Sequence, residues 1–106
     1  MTQADVLTML KTNLSIVSTN TSMDTYLGQL LQAGLRAIER EGIVLEVTKD
    51  ESGNMTAVDD TDDANLMVMY AAWLFRKRAE DNPAMPRMLR YSLNNKLFSQ
   101  KGKVSE

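Results

Sequence analysis

The chain has 106 residues, which is enough for one domain and too few for two. Its 43% hydrophobic and 25% charged residues are typical of a soluble globular protein. Because cysteine and histidine are both absent, disulfides, thiolate metal sites and Ser-His-Asp or Cys-His triads are excluded, whereas an all-carboxylate metal site stays open. No apolar run is long enough to span a bilayer and no signal peptide is visible, so we expect no membrane partner.

The net charge of −2 hides an asymmetry along the chain. Residues 1–63 contain eleven acidic and four basic residues, whereas residues 64–106 contain three acidic and eight basic residues. The basic part can contact nucleic acid or an acidic protein surface, or the two parts can attract each other within or between subunits. The low pI of about 5.1 favours the protein contacts over nucleic acid.

Two helices are predicted in the first part of the chain. Apolar residues at helical spacing indicate a first helix over residues 3–14, with Thr2 as its N-cap. A polar loop over residues 15–22 follows, and Thr21 or Ser22 is expected to cap the next helix.

The second helix is predicted over residues 23–41 from one apolar stripe. Gly42 follows it as the residue that ends the helix. Gly28 and Gly34 lie inside the pattern and are expected to permit close approach of another helix.

Residues 43–58 form either a weak hairpin or an ordered loop between the second and third helices. Residues 43–47 have strand-like character, Gly53 lies in a polar turn, and residues 55–58 can form a return strand. Because an isolated two-stranded hairpin is marginal in water, it requires support from the domain or from a neighbouring subunit.

A third helix is predicted over residues 62–80. It is apolar nearly all round, which indicates a central helix of a small bundle that also packs against a second chain. Trp73 is interpreted as a core residue rather than a ligand-stacking group. Four aspartates lie at the start of this helix: Asp59, Asp60, Asp62 and Asp63. Because they lack the spacing of an EF-hand loop, we interpret them as helix-capping and solvated residues rather than as a calcium site.

The segment Asn-Pro-Ala-Met-Pro at residues 82–86 is predicted to separate the third helix from a fourth over residues 86–99. A loose tail is expected over residues 100–106. The sequence thus predicts one mainly all-α domain, a bundle of about four helices with a hairpin or long loop at residues 43–58.

The apolar stripe of the fourth helix is predicted to contain Met85, Met88, Leu89, Leu93 and Leu97, with Phe98 as a further member.

No catalytic constellation is found in the sequence. There is no S-x-x-K nucleophile, no Walker A loop and no glycine-rich dinucleotide turn, so we expect no catalytic residues, no cofactor and no metal. An enzyme that binds magnesium through residues 59–63 is kept as a less favoured hypothesis.

The sequence resembles the small head–tail connector, or adaptor, proteins of tailed bacteriophages and prophages. The resemblance covers most of the chain, from MDTYLGQLLQAGLRAIEREG to its most specific part, LMVMYAAWLFRKR followed by MPRMLRYSLNN. It implies an α-helical structural subunit of a ring, commonly of about twelve copies. The ring would bind the portal protein and a downstream stopper or neck protein, and DNA would pass through its lumen without being read.

The resemblance also implies a place in the virion, at the head–tail junction, after synthesis in the bacterial cytoplasm.

The alternative is a small DNA-binding regulator that reads DNA with its basic fourth helix, although no helix-turn-helix with a short glycine-containing turn precedes that helix. Asn94 and Asn95 lie in the middle of this helix, where asparagine is either solvent-exposed or bonded to a partner. Subunit or portal contacts are expected at Met67, Met69, Arg76, Lys77, Arg78, Arg87, Arg90, Asn94 and Lys96.

Overall fold

The computed structural model describes residues 1–79 and 84–104. Four helices and a two-stranded antiparallel sheet make up this part of the chain, which confirms the mainly α prediction. No helix within it is long and apolar enough to cross a membrane. The third helix ends at Lys77 rather than at the predicted residue 80, since residues 78–79 form a turn. The break at Asn82–Pro83 and tail residues 105–106 lie outside the described residues. The elements are α1 (Gln3–Asn13), α2 (Asp24–Arg40), β1 (Val47–Lys49), β2 (Met55–Val58), α3 (Thr61–Lys77) and α4 (Arg87–Val104).

Thr2 caps α1, as predicted. The backbone N–H of Asp5 donates to Thr2 Oγ1 at 3.2 Å, and the backbone N–H of Thr2 donates to Asp5 Oδ2 at 2.9 Å. These reciprocal bonds form a capping box. The hydrogen bond from the Thr2 backbone lowers the pKa of the Asp5 carboxyl, because it stabilises the charged form.

The start of α2 differs from the prediction. Its N-cap is Met23, which makes no capping side-chain bond, rather than Thr21 or Ser22. The preceding loop is instead held by Lys11, which is buried and donates to Ser18 O, Asn20 O and Asp24 Oδ1. This buried lysine, which donates to three acceptors, thus holds the loop in place of the predicted side-chain cap of α2. At the other end of α2, Gly42 has a φ of +90°, in agreement with its predicted role.

The third helix is central, as predicted. It contacts α1, α2, α4 and β2, and its buried face includes Ala64, Met67 and Ala71. Gly34 of α2 lies against it, since a Cβ built on Gly34 would be 3.5 Å from the Cβ of Tyr70. Trp73 is partly buried and packs against the core, in an edge-to-face pair with Tyr70 at 5.5 Å between ring centroids.

The segment between α2 and α3 is a hairpin, and the chain itself supports it. Val47 pairs with Val58 in the antiparallel ladder. The backbone of Met1 exchanges two hydrogen bonds with that of Val58, and Thr2 forms a bridge with Ala57 on the free edge of β2. A neighbouring subunit is therefore not needed to hold the hairpin, which removes one of the reasons for expecting partner chains.

The acidic run at the start of α3 has structural roles. Asp60 caps the helix, accepting hydrogen bonds from the backbone N–H groups of Asp62 at 2.7 Å and Asp63 at 3.2 Å. Asp63 is only 1% exposed and accepts a hydrogen bond from the backbone N–H of Glu46 at 2.8 Å. The capping interpretation is thus confirmed. In the part of the chain that the structure describes, no three acidic residues are grouped to hold a metal ion.

Candidate interaction surface

The fourth helix packs on the bundle through its leucines. Leu89 and Leu93 are fully buried, and Leu97 packs against the core with part of its surface exposed. The helix begins at Arg87, whose neighbour Pro86 accepts the first backbone bond, from Arg90 N. It continues to Val104, beyond the predicted end at residue 99, so residues 100–104 of the predicted loose tail are helical.

A second apolar face of α4 points away from the core. Met88 is 70% exposed, Tyr91 56% and Phe98 67%, and we call these three residues the α4 stripe. Met88 and Phe98 were predicted on the buried face, and this is corrected here. Around a helix with 3.6 residues per turn, both lie on the side opposite Leu93, so they cannot share its face.

Two ion pairs attach α4 to the other helices. The guanidinium of Arg90 donates to both carboxylate oxygens of Glu41, at 2.9 and 2.8 Å, and this hydrogen bonding raises the pKa of Arg90. The ammonium of Lys96 lies 2.9 Å from Oδ1 of the buried Asp63, and the hydrogen bond to that carboxylate raises the pKa of Lys96. Both cations are therefore engaged within the chain.

The Lys96–Asp63 pair also fixes the direction of α4 relative to α3. A cleft of about 340 Å³ between the two helices is lined by residues of both, including Asp62, Met69, Ser92 and Asn95. Asp63, near the start of α3, lies beside Lys96, whereas Tyr70, about two turns later in α3, interacts electrostatically with Arg90, which is earlier in α4. The two helices are therefore antiparallel. The start of α3 is therefore close to the second half of α4.

Three basic residues lie at the carboxyl end of α3, and two of them lie over aromatic rings. Lys77 Nζ lies 4.7 Å from the centroid of the Trp73 ring. The guanidinium carbon of Arg78 lies 4.0 Å from the centroid of the Phe75 ring. Arg76 donates to the backbone and side-chain oxygens of Asn13. The cations also favour the negative end of the helix dipole.

The predicted contact residues fall into three groups. Met67 is completely buried, so it cannot contact a partner in this fold, and that prediction is corrected. Arg90 and Lys96 are engaged with acidic residues of the same chain, and Asn94 lies beside Arg90 at 3.5 Å. The remaining residues lie fully or partly at the surface, and their contacts with partners stay predictions: Met69, Arg76, Lys77, Arg78 and Arg87.

Tyr91 was missed as a surface residue that can bind a partner. The signal was present in the sequence, because residues 88, 91, 95 and 98 follow one another at steps of three, four and three on the helix side opposite the leucines. A polar groove of about 680 Å³ between α1, α2 and the hairpin contains none of the predicted contact residues.

Comparisons of the chain with protein-family models, curated proteins and solved structures found no match.

Proposed function

We propose that the chain is a structural subunit of a phage or prophage head–tail connector. In this function, about twelve copies form a ring that binds the portal and the next neck protein and extends the DNA channel. The observation that carries the proposal is the α4 stripe. It leaves three large apolar side chains outside the core, within the segment on which the sequence resemblance is most specific. Exposed apolar surface of this kind marks sites of protein contact.

The distribution of charge supports contacts between copies. Asp59 and Asp62 are exposed at the start of α3, whereas Arg76 and Arg78 are exposed at its end, about 25 Å away for a helix of this length. A surface with opposite charges at opposite ends is complementary to another copy of itself, which supports an assembly built from copies of one subunit.

The DNA-binding alternative is less well supported. Of the basic residues on α4 up to residue 100, Arg90 pairs with Glu41 and Lys96 pairs with Asp63, which leaves Arg87 without an ion-pair partner among the described residues. Up to residue 100, α4 thus offers one free guanidinium, next to an apolar stripe, for phosphate contacts.

The proposal is tested by mixing the purified protein with the portal of the phage or prophage that encodes it. We expect portal particles to gain about a dozen copies, measured by light scattering after size exclusion and by electron microscopy of rings. The double variant Tyr91→Ser with Phe98→Ser, and separately Arg87→Glu, should bind the portal at least tenfold more weakly. Arg36→Glu, which changes an exposed charge on α2, is the matched control. Wild-type protein that binds no portal would contradict the proposal.

A further inference from the structure

The α4 stripe and the α3–α4 cleft form one surface. Asn95 lies between Tyr91 and Phe98 in the row of exposed residues and also lines the cleft, where Met69 of α3 stands on the other wall. The steps of three, four and three along Met88, Tyr91, Asn95 and Phe98 are those of the a and d positions of a two-stranded coiled coil. A helix with this spacing is suited to packing against another helix along its length.

The row is symmetric about its centre, between Tyr91 and Asn95. If a second copy of α4 packs antiparallel about that point, Met88 faces the partner's Phe98, and Tyr91 faces the partner's Asn95. The first pair is a sulfur–aromatic contact, and the second joins a phenol O–H to an amide oxygen. Asn95, a poor choice for a helix interior, acquires a hydrogen-bond partner in this arrangement.

Charge on α3 has the same symmetry. Asp62 and Arg76 are exposed, lie on the same side of α3 as Met69, and are seven residues before and after it. Met69 lines the cleft together with Ser92, which is close to the centre of the α4 row. One two-fold axis perpendicular to the helices at this level therefore brings Asp62 of each copy towards the partner's Arg76.

We propose that, in the free protein, a second copy of the chain covers the α4 stripe through a two-fold antiparallel contact between the α3–α4 surfaces. A nucleic acid or an acidic peptide would fit the Arg76 end and be repelled at the Asp62 end, whereas another copy fits both. Because three large apolar side chains of each copy enter the contact, we expect it to bury less than the roughly 800 Å² per partner of a standard interface, and we expect a reversible dimer that depends on concentration. The proposal concerns the free protein and uses the same α4 stripe as the connector function, so the two are tested by separate experiments.

The charge test uses sedimentation equilibrium over a concentration series, with folding followed by circular dichroism. Asp62→Arg and Arg76→Asp should each weaken dimerisation at least tenfold, and the variant carrying both should regain it. Because both changes oppose the dipole of α3, the double variant is expected to be the least stable fold, so its recovery cannot come from better folding. Arg36→Asp is the matched control and should dimerise like the unchanged protein.

The register test uses the lack of cysteine in the natural chain. Tyr91→Cys mixed with Asn95→Cys, one of them carrying a size tag, should form the mixed disulfide at least tenfold faster than either variant forms a disulfide with itself. Ser52→Cys in the exposed hairpin turn gives the background rate. A monomer at all concentrations, faster self-crosslinking, or a larger ring without the mixed disulfide would each overturn the proposal, and the ring would still support the connector function.

Discussion

The side-chain amide of Gln32 in α2 bonds to both the backbone N–H and the backbone carbonyl of Met55 in β2. The N–H of Met55 donates to Gln32 Oε1 at 2.8 Å, and Gln32 Nε2 donates to the carbonyl of Met55 at 3.0 Å. The side-chain amide thus replaces a neighbouring strand at a partly buried position. Replacing it by Gln32→Leu should lower the free energy of unfolding by about 2 kcal/mol, because both backbone groups lose their partner.

Urea unfolding measures this change. Gln29→Leu, at an exposed position on the same helix, is the control and should alter stability by less than about 0.5 kcal/mol. An equal loss in the two variants would show that the amide of Gln32 does not hold the hairpin.

Lys96 should matter for stability because its partner is buried. The carboxylate of Asp63 is 1% exposed, whereas the Lys96 side chain is 31% exposed. Lys96→Met leaves the carboxylate without its cation, and we expect a loss of about 2 kcal/mol, less than for a fully buried pair because water reaches the ammonium. In Asp63→Asn the acceptor for Glu46 N–H is kept, so that variant combined with Lys96→Met should recover part of the loss. A double-mutant cycle by urea unfolding gives the coupling, and additive effects would contradict it.

Alkaline pH should destabilise the fold. The hydrogen bond to Asp63 raises the pKa of Lys96 above 10.5, so its stabilising contribution is full below that pH and is lost as the pH rises through the raised pKa. Burial raises the pKa of Tyr70 above 10.0, so above this pH the unfolded chain ionises first and stability falls further. Unfolding midpoints measured between pH 8 and 11.5 should decline less steeply in Lys96→Met and in Tyr70→Phe. Unchanged slopes in both would show that other groups cause the decline.

Gly34 can be replaced by alanine without loss. The nearest atoms to a Cβ at this position are Tyr70 Cβ at 3.5 Å, Ala71 N at 3.6 Å and Met67 O at 3.7 Å, all ordinary contact distances. Because alanine is the better helix former, Gly34→Ala should raise the melting temperature and stabilise the fold by about 0.5–1 kcal/mol. Gly34→Leu should destabilise it, since the further atoms would enter the α2–α3 contact. A destabilised alanine variant would contradict this.

Local signals made three helix ends predictable from the sequence. Thr2, Gly42 and Asp60 act through bonds or backbone conformations that involve residues within a few positions, so their residue type is sufficient information. The hairpin was an open alternative because its support comes from Gln32 and from Met1, which are distant in the sequence.

The exposed face of α4 was not predictable in the same way. Leu89, Leu93 and Leu97 form one apolar row and the α4 stripe forms another, and hydrophobicity alone does not tell which row meets α3. The ion pairs of Arg90 and Lys96 decide the rotation of the helix, and their acidic partners lie directly after α2 and at the start of α3. Contact residues chosen for positive charge therefore included two that the chain itself neutralises.

The pairing of Met1 and Thr2 with β2 also affects the order in which the chain can fold during synthesis. The contacts of α1 are mainly with α3 and β2, which the ribosome adds much later. An isolated helix of 11 residues is marginal in water, so α1 has little reason to persist until α3 has emerged. The residues of α1 are thus made well before their native neighbours in α3, and the nascent chain exposes Val6 and Leu10 until α3 has emerged.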